Sequence, residues 1–285
     1  MSEEVHASAD RLDAMSTLDV LELMHAEDRR AIEAVAPHLD RIAAAIDAIA
    51  SRVRAGGRLH YFGAGTSGRI AELDAAECGP TFGIDVVHAH AAGDGAAEDD
   101  AGLGTRHARD AGLTADDAIV CVSASGRTAY VLAAVKEARA SGAKVIGFSC
   151  AIRTPLSEVS DLAIEIETGP EVIAGSTRLK SGTVQKVVLN MISTGVFVGL
   201  GHTYRGRMAG LVAENAKLRQ RALTLVRDLT GASDDEAEKA LHAAEGSAKV
   251  AVLMLRLGLS AEGAVKRLRE NHGDLAAALG ERARA

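Results

Sequence analysis

The sequence is poor in aromatic residues and long apolar runs, and each shortage excludes a class of protein. Aromatic residues make up 2% of the chain and tryptophan is absent, although 47% of the residues are hydrophobic. The core must therefore be built from aliphatic side chains. No run of about 18 apolar residues occurs, as a membrane-spanning helix would require. No apolar stretch follows a basic start either, so we expect neither a signal peptide nor a membrane span, and a cytoplasmic protein.

The chain also lacks the positive charge and the cysteine pairs that would indicate nucleic-acid or metal binding. Its formal net charge is -7, whereas a nucleic-acid surface needs clustered Lys and Arg. Cys78, Cys121 and Cys150 form no C-x-x-C pair, which is typical of buried thiols in a reducing compartment. His88 and His90 would share one side of a strand but have no third ligand at suitable spacing. We therefore expect no nucleic-acid partner and no metal site.

Hydrophobic periodicity divides the chain into alternating strands and helices. Helical spacing from Leu18 to Arg54, broken near Pro37, predicts two N-terminal helices. Short apolar runs then predict strands at 57–62, 84–89, 118–122, 144–149 and 162–167, and helical patterns predict helices at 69–78, 102–111, 130–140, 179–197 and 207–229. This alternation predicts an α/β fold, a doubly wound parallel sheet flanked by helices.

The last part of the chain changes to short helical segments. Gly231-Ala232-Ser233 interrupts the pattern, and Ser233 followed by acidic residues predicts a helix N-cap. From there to Leu279 the spacing predicts three short helices. We therefore expect N-terminal helices in residues 1–55, a main domain in residues 56–230 and a small three-helix domain in residues 231–285.

Two loops repeat one pattern of small hydroxyl residues, Gly and Arg at the start of a helix. Gly63-Ala64-Gly65-Thr66-Ser67-Gly68 follows the first predicted strand, and Ser123-Ala124-Ser125-Gly126-Arg127-Thr128 follows the third. The first string matches the G-x-G-x-x-G dinucleotide pattern, but the next strand ends in His88-Ala89-His90 rather than in a carboxylate for a ribose. We therefore expect no nucleotide cofactor.

Loops at the carboxyl ends of two parallel strands should converge on one crevice, where hydroxyls and helix N-termini suit a sugar phosphate. The predicted substrate contacts are Thr66, Ser67, Gly68, Ser123, Ser125, Gly126 and Thr128. Lys180 opens a later helix and lies either on the substrate phosphate or on the helix surface. Arg69 and Arg127 stand in first turns, where an outward salt bridge is the commoner arrangement.

Several longer strings of the sequence match those of one family. They are Gly63 to Arg69, Leu73-Asp74-Ala75-Ala76-Glu77-Cys78-Gly79-Pro80-Thr81-Phe82-Gly83, Ser123 to Thr128, Gly175 to Lys186, and Asn215-Ala216-Lys217-Leu218. Together they resemble the N-acetylmuramic acid 6-phosphate etherases of the sugar isomerase (SIS) domain superfamily, from about Ser16 to Leu279. The C-terminal helices resemble a ubiquitin-associated-type fold.

The resemblance implies an activity and two catalytic residues. The reaction would cleave the D-lactyl ether of N-acetylmuramic acid 6-phosphate, a step of peptidoglycan recycling, without metal or organic cofactor. The family's two functional glutamates correspond here to Glu77 and Glu98, and which of them is the acid and which the base stays open. The family also implies a homodimer with the active site near the subunit interface. Two alternatives remain at this point, a non-catalytic sugar-phosphate sensor and an aldose–ketose phosphate isomerase.

Overall fold

The computed structural model describes residues 4–93, 95–210 and 216–281. The chain forms two compact units, Met1–Ala76 with Val86–Gly195, and Glu77–Asp85 with Val196–Ala285. The first unit contains the sheet. The domain boundaries predicted after residues 55 and 230 stay predictions.

The first unit is built around a parallel sheet of five strands, as the alternating pattern predicts. The strands are β1 (Leu59–Ala64), β2 (Val87–Ala92), β3 (Ala118–Ser123), β4 (Lys144–Ser149) and β5 (Leu162–Glu165). Their order is β2-β1-β3-β4-β5, and each neighbouring pair is parallel. The predicted doubly wound sheet is therefore confirmed.

Helices precede the sheet, connect its strands and follow its last strand. They are α1 (Ala9–Leu12), α2 (Thr17–Glu33), α3 (Leu39–Arg54), α4 (Gly65–Phe82), α5 (Ala101–Asp110), α6 (Ala129–Ser141), α7 (Pro155–Val159) and α8 (Lys180–Gly199). The predicted break near Pro37 is a 3₁₀ turn, Ala36–His38. A second 3₁₀ turn, Gly95–Ala97, precedes α5.

Helices pack on both faces of the sheet, because successive side chains of a strand point to opposite faces. On one face Phe62 and Cys121 pack with Tyr130 of α6. On the other face the Tyr61 hydroxyl donates a 3.0 Å hydrogen bond to Asp74 of α4, which also accepts from Ser193 of α8. These aromatic side chains are fully buried in a core that is otherwise mainly aliphatic.

The first two strands begin two or three residues later than the sequence predicts. Gly57 belongs to a turn before β1, where a Cβ would collide with the carbonyl oxygen of Asp116. At its other end β1 continues through Gly63. A Cβ on Gly63 would lie 2.8 Å from the amide nitrogen of Gly68, so glycine at this position lets the strand turn tightly into α4.

The second unit contains α9 (Ala216–Thr230), α10 (Asp234–Ala243), α11 (Ala248–Leu257), α12 (Ala261–Glu270) and α13 (Leu275–Leu279). These helices share one apolar cluster that includes Val226, Leu253 and Leu275. Ser233 caps α10 as predicted, with its hydroxyl accepting from the Glu236 amide. The structure has a fourth short helix where three were predicted, because the Asp274 side chain caps the brief segment α13. Of the predicted helix 207–229, residues 207–210 precede α9, and the motif residue Asn215 lies outside the described residues.

All three cysteines are free thiols and are buried, as predicted. Among the helices that the structure describes, none combines the length and the apolar composition of a membrane span.

Candidate active site

The two hydroxyl-rich loops leave neighbouring strands. Gly63 of β1 pairs with Val122 of β3, so the loops that follow these strands lie side by side at the carboxyl edge of the sheet. The chain passes from β1 to β2 on one side and then to β3 on the other, so the strand order reverses between β1 and β3. Such a reversal opens a crevice where ligands bind in parallel sheets. The predicted proximity of the two loops is confirmed.

The first loop is held tightly against β1. A Cβ on Gly68 would lie 2.9 Å from both the carbonyl oxygen of Gly63 and the Cβ of Ala91. Ser67 is buried in the first turn of α4, and Thr66 is half-buried. Because first-turn N–H groups lack partners within their helix, this turn brings amide donors to the crevice.

The second loop carries a connected set of hydroxyls. The Ser123 hydroxyl lies 2.8 Å from the Thr128 hydroxyl and 3.5 Å from that of Ser125, and it accepts a 3.0 Å bond from the Gly126 amide. Thr128 is the N-cap residue of α6 but makes no side-chain cap bond, since its hydroxyl is engaged with Ser123. Neutral groups that donate and accept are therefore concentrated at the start of α6.

A third loop, after β4, supports the second one and was not predicted to be part of the site. The amide of Cys150 donates to the carbonyl of Ala124 at 3.0 Å, and the amide of Leu156 donates to the carbonyl of Gly126 at 3.1 Å. Gly126 has φ +65°, and a Cβ there would collide with the side chain of Thr154. The hydroxyl of Ser149 at the end of β4 was the available sequence signal, since it stands where Ser123 stands on β3.

Glu98 is fixed by its backbone beside the second loop. Its carbonyl accepts a 3.1 Å hydrogen bond from the amide of Tyr130 in the first turn of α6, and its amide donates a 2.9 Å hydrogen bond to the carbonyl of Gly95. The residue is half-buried. The structure therefore brings Glu98 next to the start of the helix that Thr128 caps.

The other charged residues singled out in the sequence have different surroundings. Glu77 is exposed on α4 and belongs to the second compact unit. Arg69 and Arg127 are exposed on the first turns of their helices.

Lys180 is buried and its ammonium group is ion-paired. Its Nζ donates to the Glu27 carboxylate of α2 at 2.6 Å, and the two side chains have only 5% and 6% of their surfaces exposed. Burial by itself would raise the pKa of Glu27, but the hydrogen bond and charge of Lys180 lower it below its ordinary value. Lys180 thus lies neither on the helix surface nor on an open phosphate site in this arrangement, and its contact with substrate stays a prediction.

A second buried carboxylate occupies the start of α8. Glu171 is fully buried and accepts from the amides of Lys180 and Ser181, at 3.1 and 3.0 Å, and from the Ser181 hydroxyl at 2.7 Å. A carboxylate at a helix N-terminus satisfies the unpaired N–H groups and the positive end of the helix dipole. The start of α8 therefore already holds an anion of the protein itself. The only sequence signal was an acidic residue in the turn before this helix.

Comparison with known proteins agrees with this geometry. The SIS domain family model matches residues 25–150. An N-acetylmuramic acid 6-phosphate etherase from Rubrobacter xylanophilus is 49% identical over 95% of this chain and 92% of its own length. The etherase of the same name from Streptomyces avermitilis is 48% identical over 94% of this chain and 89% of its own length. The chain belongs to the N-acetylmuramic acid 6-phosphate etherase family.

Solved structures outside this etherase family share the fold. A protein from Escherichia coli CFT073 matches with a TM-score of 0.51 at 24% identity, over 66% of this chain and 95% of that one. A phosphoheptose isomerase from Francisella tularensis matches with a TM-score of 0.50 at 19% identity, over 65% of this chain and all of that one. These matches show that the etherase family member described here has the SIS fold.

Gly126→Ala should destabilise the protein more than Gly112→Ala does. Both glycines have positive φ, +65° and +58°, but a Cβ at Gly112 meets nothing within 4 Å whereas one at Gly126 collides with Thr154. At Gly112 the free energy of unfolding should fall by about 1 kcal/mol, because of the backbone conformation alone. At Gly126 it should fall by at least about 1 kcal/mol more, because of the collision as well. Equal losses in urea unfolding would contradict the packing of the β4 loop on the second hydroxyl loop.

Glu27→Gln should lower the free energy of unfolding by about 3 kcal/mol or more, because it leaves the Lys180 ammonium buried without its counter-ion. Glu33→Gln on the same helix is the matched control. Glu33 pairs with Arg29 at 3.7 Å, and both side chains are exposed, so its loss should change stability by less than about 1 kcal/mol. Chemical denaturation of both variants measures the difference, and a similar small loss in each would contradict a buried pair.

Proposed function

We propose that this protein is an N-acetylmuramic acid 6-phosphate etherase. It is a carbon–oxygen lyase that releases D-lactate and leaves N-acetylglucosamine 6-phosphate. The observation that carries the proposal is the identity of 44 to 49% with relatives of that name over nearly the whole chain. The hydroxyl-rich crevice at the β1–β3 reversal supports it, because a sugar phosphate is what such a crevice suits.

The two alternatives have weaker support. Three of the solved structures that match, isomerases among them, are 24, 21 and 19% identical and cover about two thirds of the chain, so they share the fold and argue for no common reaction. A pure sensor would need neither of the two glutamates that match the family's functional positions.

The reaction needs an acid and a base but no electron sink beyond the substrate. In the open-chain sugar the C2 proton lies next to the C1 aldehyde, so a base removes it while the carbonyl delocalises the charge. An acid then protonates the departing lactate oxygen as the C3–O bond breaks. Water adds to C3 of the unsaturated aldehyde and a proton returns to C2. We assign these proton transfers to Glu77 and Glu98.

The two loops would hold the substrate through neutral groups. Thr66, Ser67, Ser123, Ser125 and Thr128 supply hydroxyls, and the first turns of α4 and α6 supply amides and the positive ends of their dipoles. Gly68 and Gly126 contribute to the proposed site through their backbone, because the lack of a Cβ lets the first loop pack on β1 and the second on Thr154. The backbone of Glu98 lies beside the start of α6, which supports a role for this residue in proton transfer with a sugar held by the second loop.

Lactate release from N-acetylmuramic acid 6-phosphate tests the proposal. The wild type should release D-lactate, and Glu77→Gln and Glu98→Gln should each reduce kcat by roughly 100-fold to 10,000-fold, the usual contribution of a general acid or base. KM should change little in both variants, because the phosphate contacts are untouched. Glu33→Gln, an exposed change on α2, should retain full activity.

Two results would decide against the etherase. A ketose product without lactate would indicate an isomerase. Substrate binding without turnover, unchanged in Glu77→Gln and Glu98→Gln, would indicate a sensor.

We propose further that the protein is a cytoplasmic homodimer whose second copy completes the active-site surroundings. A phosphorylated sugar does not cross a membrane unaided, because its charge would have to leave water. Supporting the dimer, α2 exposes several apolar residues, with Leu18 63%, Leu21 57% and Ile32 45% exposed. Leu18 and Leu21 lie about one helical turn apart, and neighbouring exposed apolar residues are what an interface would cover.

Leu21→Glu should shift the protein from dimer to monomer in light scattering after size exclusion, because it buries a charge in the proposed interface. Glu22→Gln, the neighbouring exposed residue of α2, is the control and should leave the mass unchanged. A wild type that is monomeric at micromolar concentration would refute the dimer.

A further inference from the structure

Three histidines form a cluster at the free edge of the sheet. His60 of β1 pairs in register with His88 of β2, and Phe62 pairs with His90, so all three imidazoles lie on one face. The ring of His60 lies 5.2 Å from that of His88 and 5.3 Å from that of His90. Its Nδ1 shares a 3.0 Å hydrogen bond with Nε2 of His90.

His60 is buried, whereas His88 and His90 are half-buried and border a groove. His60 is 1% exposed, and its Nε2 has no hydrogen-bond partner. A groove of about 560 Å³ runs along β2 and is lined by the three histidines together with Arg58 and Glu72. No three His, Cys, Asp or Glu side chains in the described ranges are arranged to hold a metal ion. The groove gives solvent protons a route to the rings.

The surroundings disfavour a positive charge on these rings. Burial, the neighbouring histidines and Arg58 lower the pKa of His60 to about 3, and burial with His107 and His88 lowers that of His90 to about 4. The groups that face the cluster are Glu72 from α4, His107 from α5, Tyr130 from α6, Cys121 from β3, and Arg58 and Asp117 from the segments before β1 and β3. Asp117 already accepts from Arg58 and Thr114, and Glu72 is exposed.

Tyr130 connects the cluster to Glu98. Its hydroxyl donates to the backbone carbonyl of His90 at 3.1 Å and lies 2.9 Å from Nδ1 of His107. Its amide donates to the carbonyl of Glu98. The side chain of Tyr130 is fully buried. One residue therefore holds both the strand that carries the cluster and the backbone of Glu98.

Strand β2 is the part of the sheet that can respond most easily. It is an edge strand, paired on one side with β1 alone, and edge strands separate at lower cost than central ones. A proton on His60 or His90 would place a positive charge near Arg58, away from water. The cost of burying that charge, and its repulsion by Arg58, would fall if β2 moved away from β1.

We propose that the histidine cluster and Tyr130 are positioning residues for Glu98, so that proton uptake by the cluster loosens β2 and displaces Glu98 in mild acid. The direction and the pH range of the change in stability follow because the folded state holds His60 and His90 neutral. The ordered strand is stable above the ordinary histidine pKa of about 6.5 and loses stability as the pH falls below it. The activity part of this proposal rests on the proposed function, whereas the structural part does not.

Hydrogen exchange of the wild-type protein tests the structural part. After correction for intrinsic rates, amides of β2 should exchange at least about tenfold faster near pH 5.5 than near pH 7.5, while those of β4 should not. In the double variant His60→Leu/His90→Leu this difference should disappear. His25→Leu removes an exposed histidine of α2 and should retain the wild-type response. Equal behaviour of β2 and β4 in the wild type would overturn the proposal even if the double variant failed to fold.

Lactate release tests the link to Glu98. The wild type should lose activity between about pH 7 and 5.5 more steeply than the double variant does, since only the wild type can charge the cluster. Tyr130→Phe removes the hydroxyl that holds the His90 carbonyl of β2 but keeps the amide bond to the Glu98 carbonyl. It should lower kcat at neutral pH by roughly tenfold with little change in KM, because β2, the strand that leads to Glu98, is then held less firmly while the phosphate contacts are intact. Identical pH profiles of wild type and double variant would overturn the link. A wild type with acid-sensitive β2 exchange but no lactate release at any pH would instead refute the etherase and leave the structural response standing.

Discussion

The parallel pairing of β1 with β3 is the constraint on which the rest of the structure depends. The register that places Gly63 opposite Val122 fixes where both strands end, and the loops that follow have no freedom to separate. The reversal of strand order at the same point keeps helices α4 and α6 from closing over the gap. The sheet therefore positions the start of each loop, and Ser123 is itself the last residue of β3, whereas the Ser125 and Thr128 hydroxyls are held by their contacts with Ser123.

Much of this arrangement could be predicted because it depends on patterns of residues that are close in sequence. Strands alternating with helices indicated the parallel sheet, and the repeated glycine and hydroxyl residues located both loops. The N-cap at Ser233 and the break at Pro37 are also local signals, and the structure has both. The starts of β1 and β2 were predicted too early, and for β1 the reason is that the conformation at Gly57 depends on the distant backbone of Asp116.

The residues that could not be predicted act across long distances in sequence. Glu27 and Lys180 come together only because α2 packs on the start of α8, and no spacing rule joins them. Glu171 caps a helix that begins nine residues later, beyond the reach of capping-box patterns. The contact of His60 with His90 was not predicted, because the register that pairs their strands is a property of the sheet.

The ion pair of Lys180 with Glu27 affects the charge around the proposed catalytic residues, Glu77 and Glu98, and so their ability to act as acid and base. An opposite charge within about 4 to 6 Å of a carboxylate favours its ionised form and would weaken it as an acid. Here the ammonium of Lys180 is neutralised by Glu27, and the amides at the start of α8 are satisfied by Glu171. The hydroxyls of the two loops and the dipoles of α4 and α6 remain to hold the substrate of the proposed site, so neither Lys180 nor the start of α8 places an uncompensated positive charge beside the proposed catalytic residues Glu77 and Glu98.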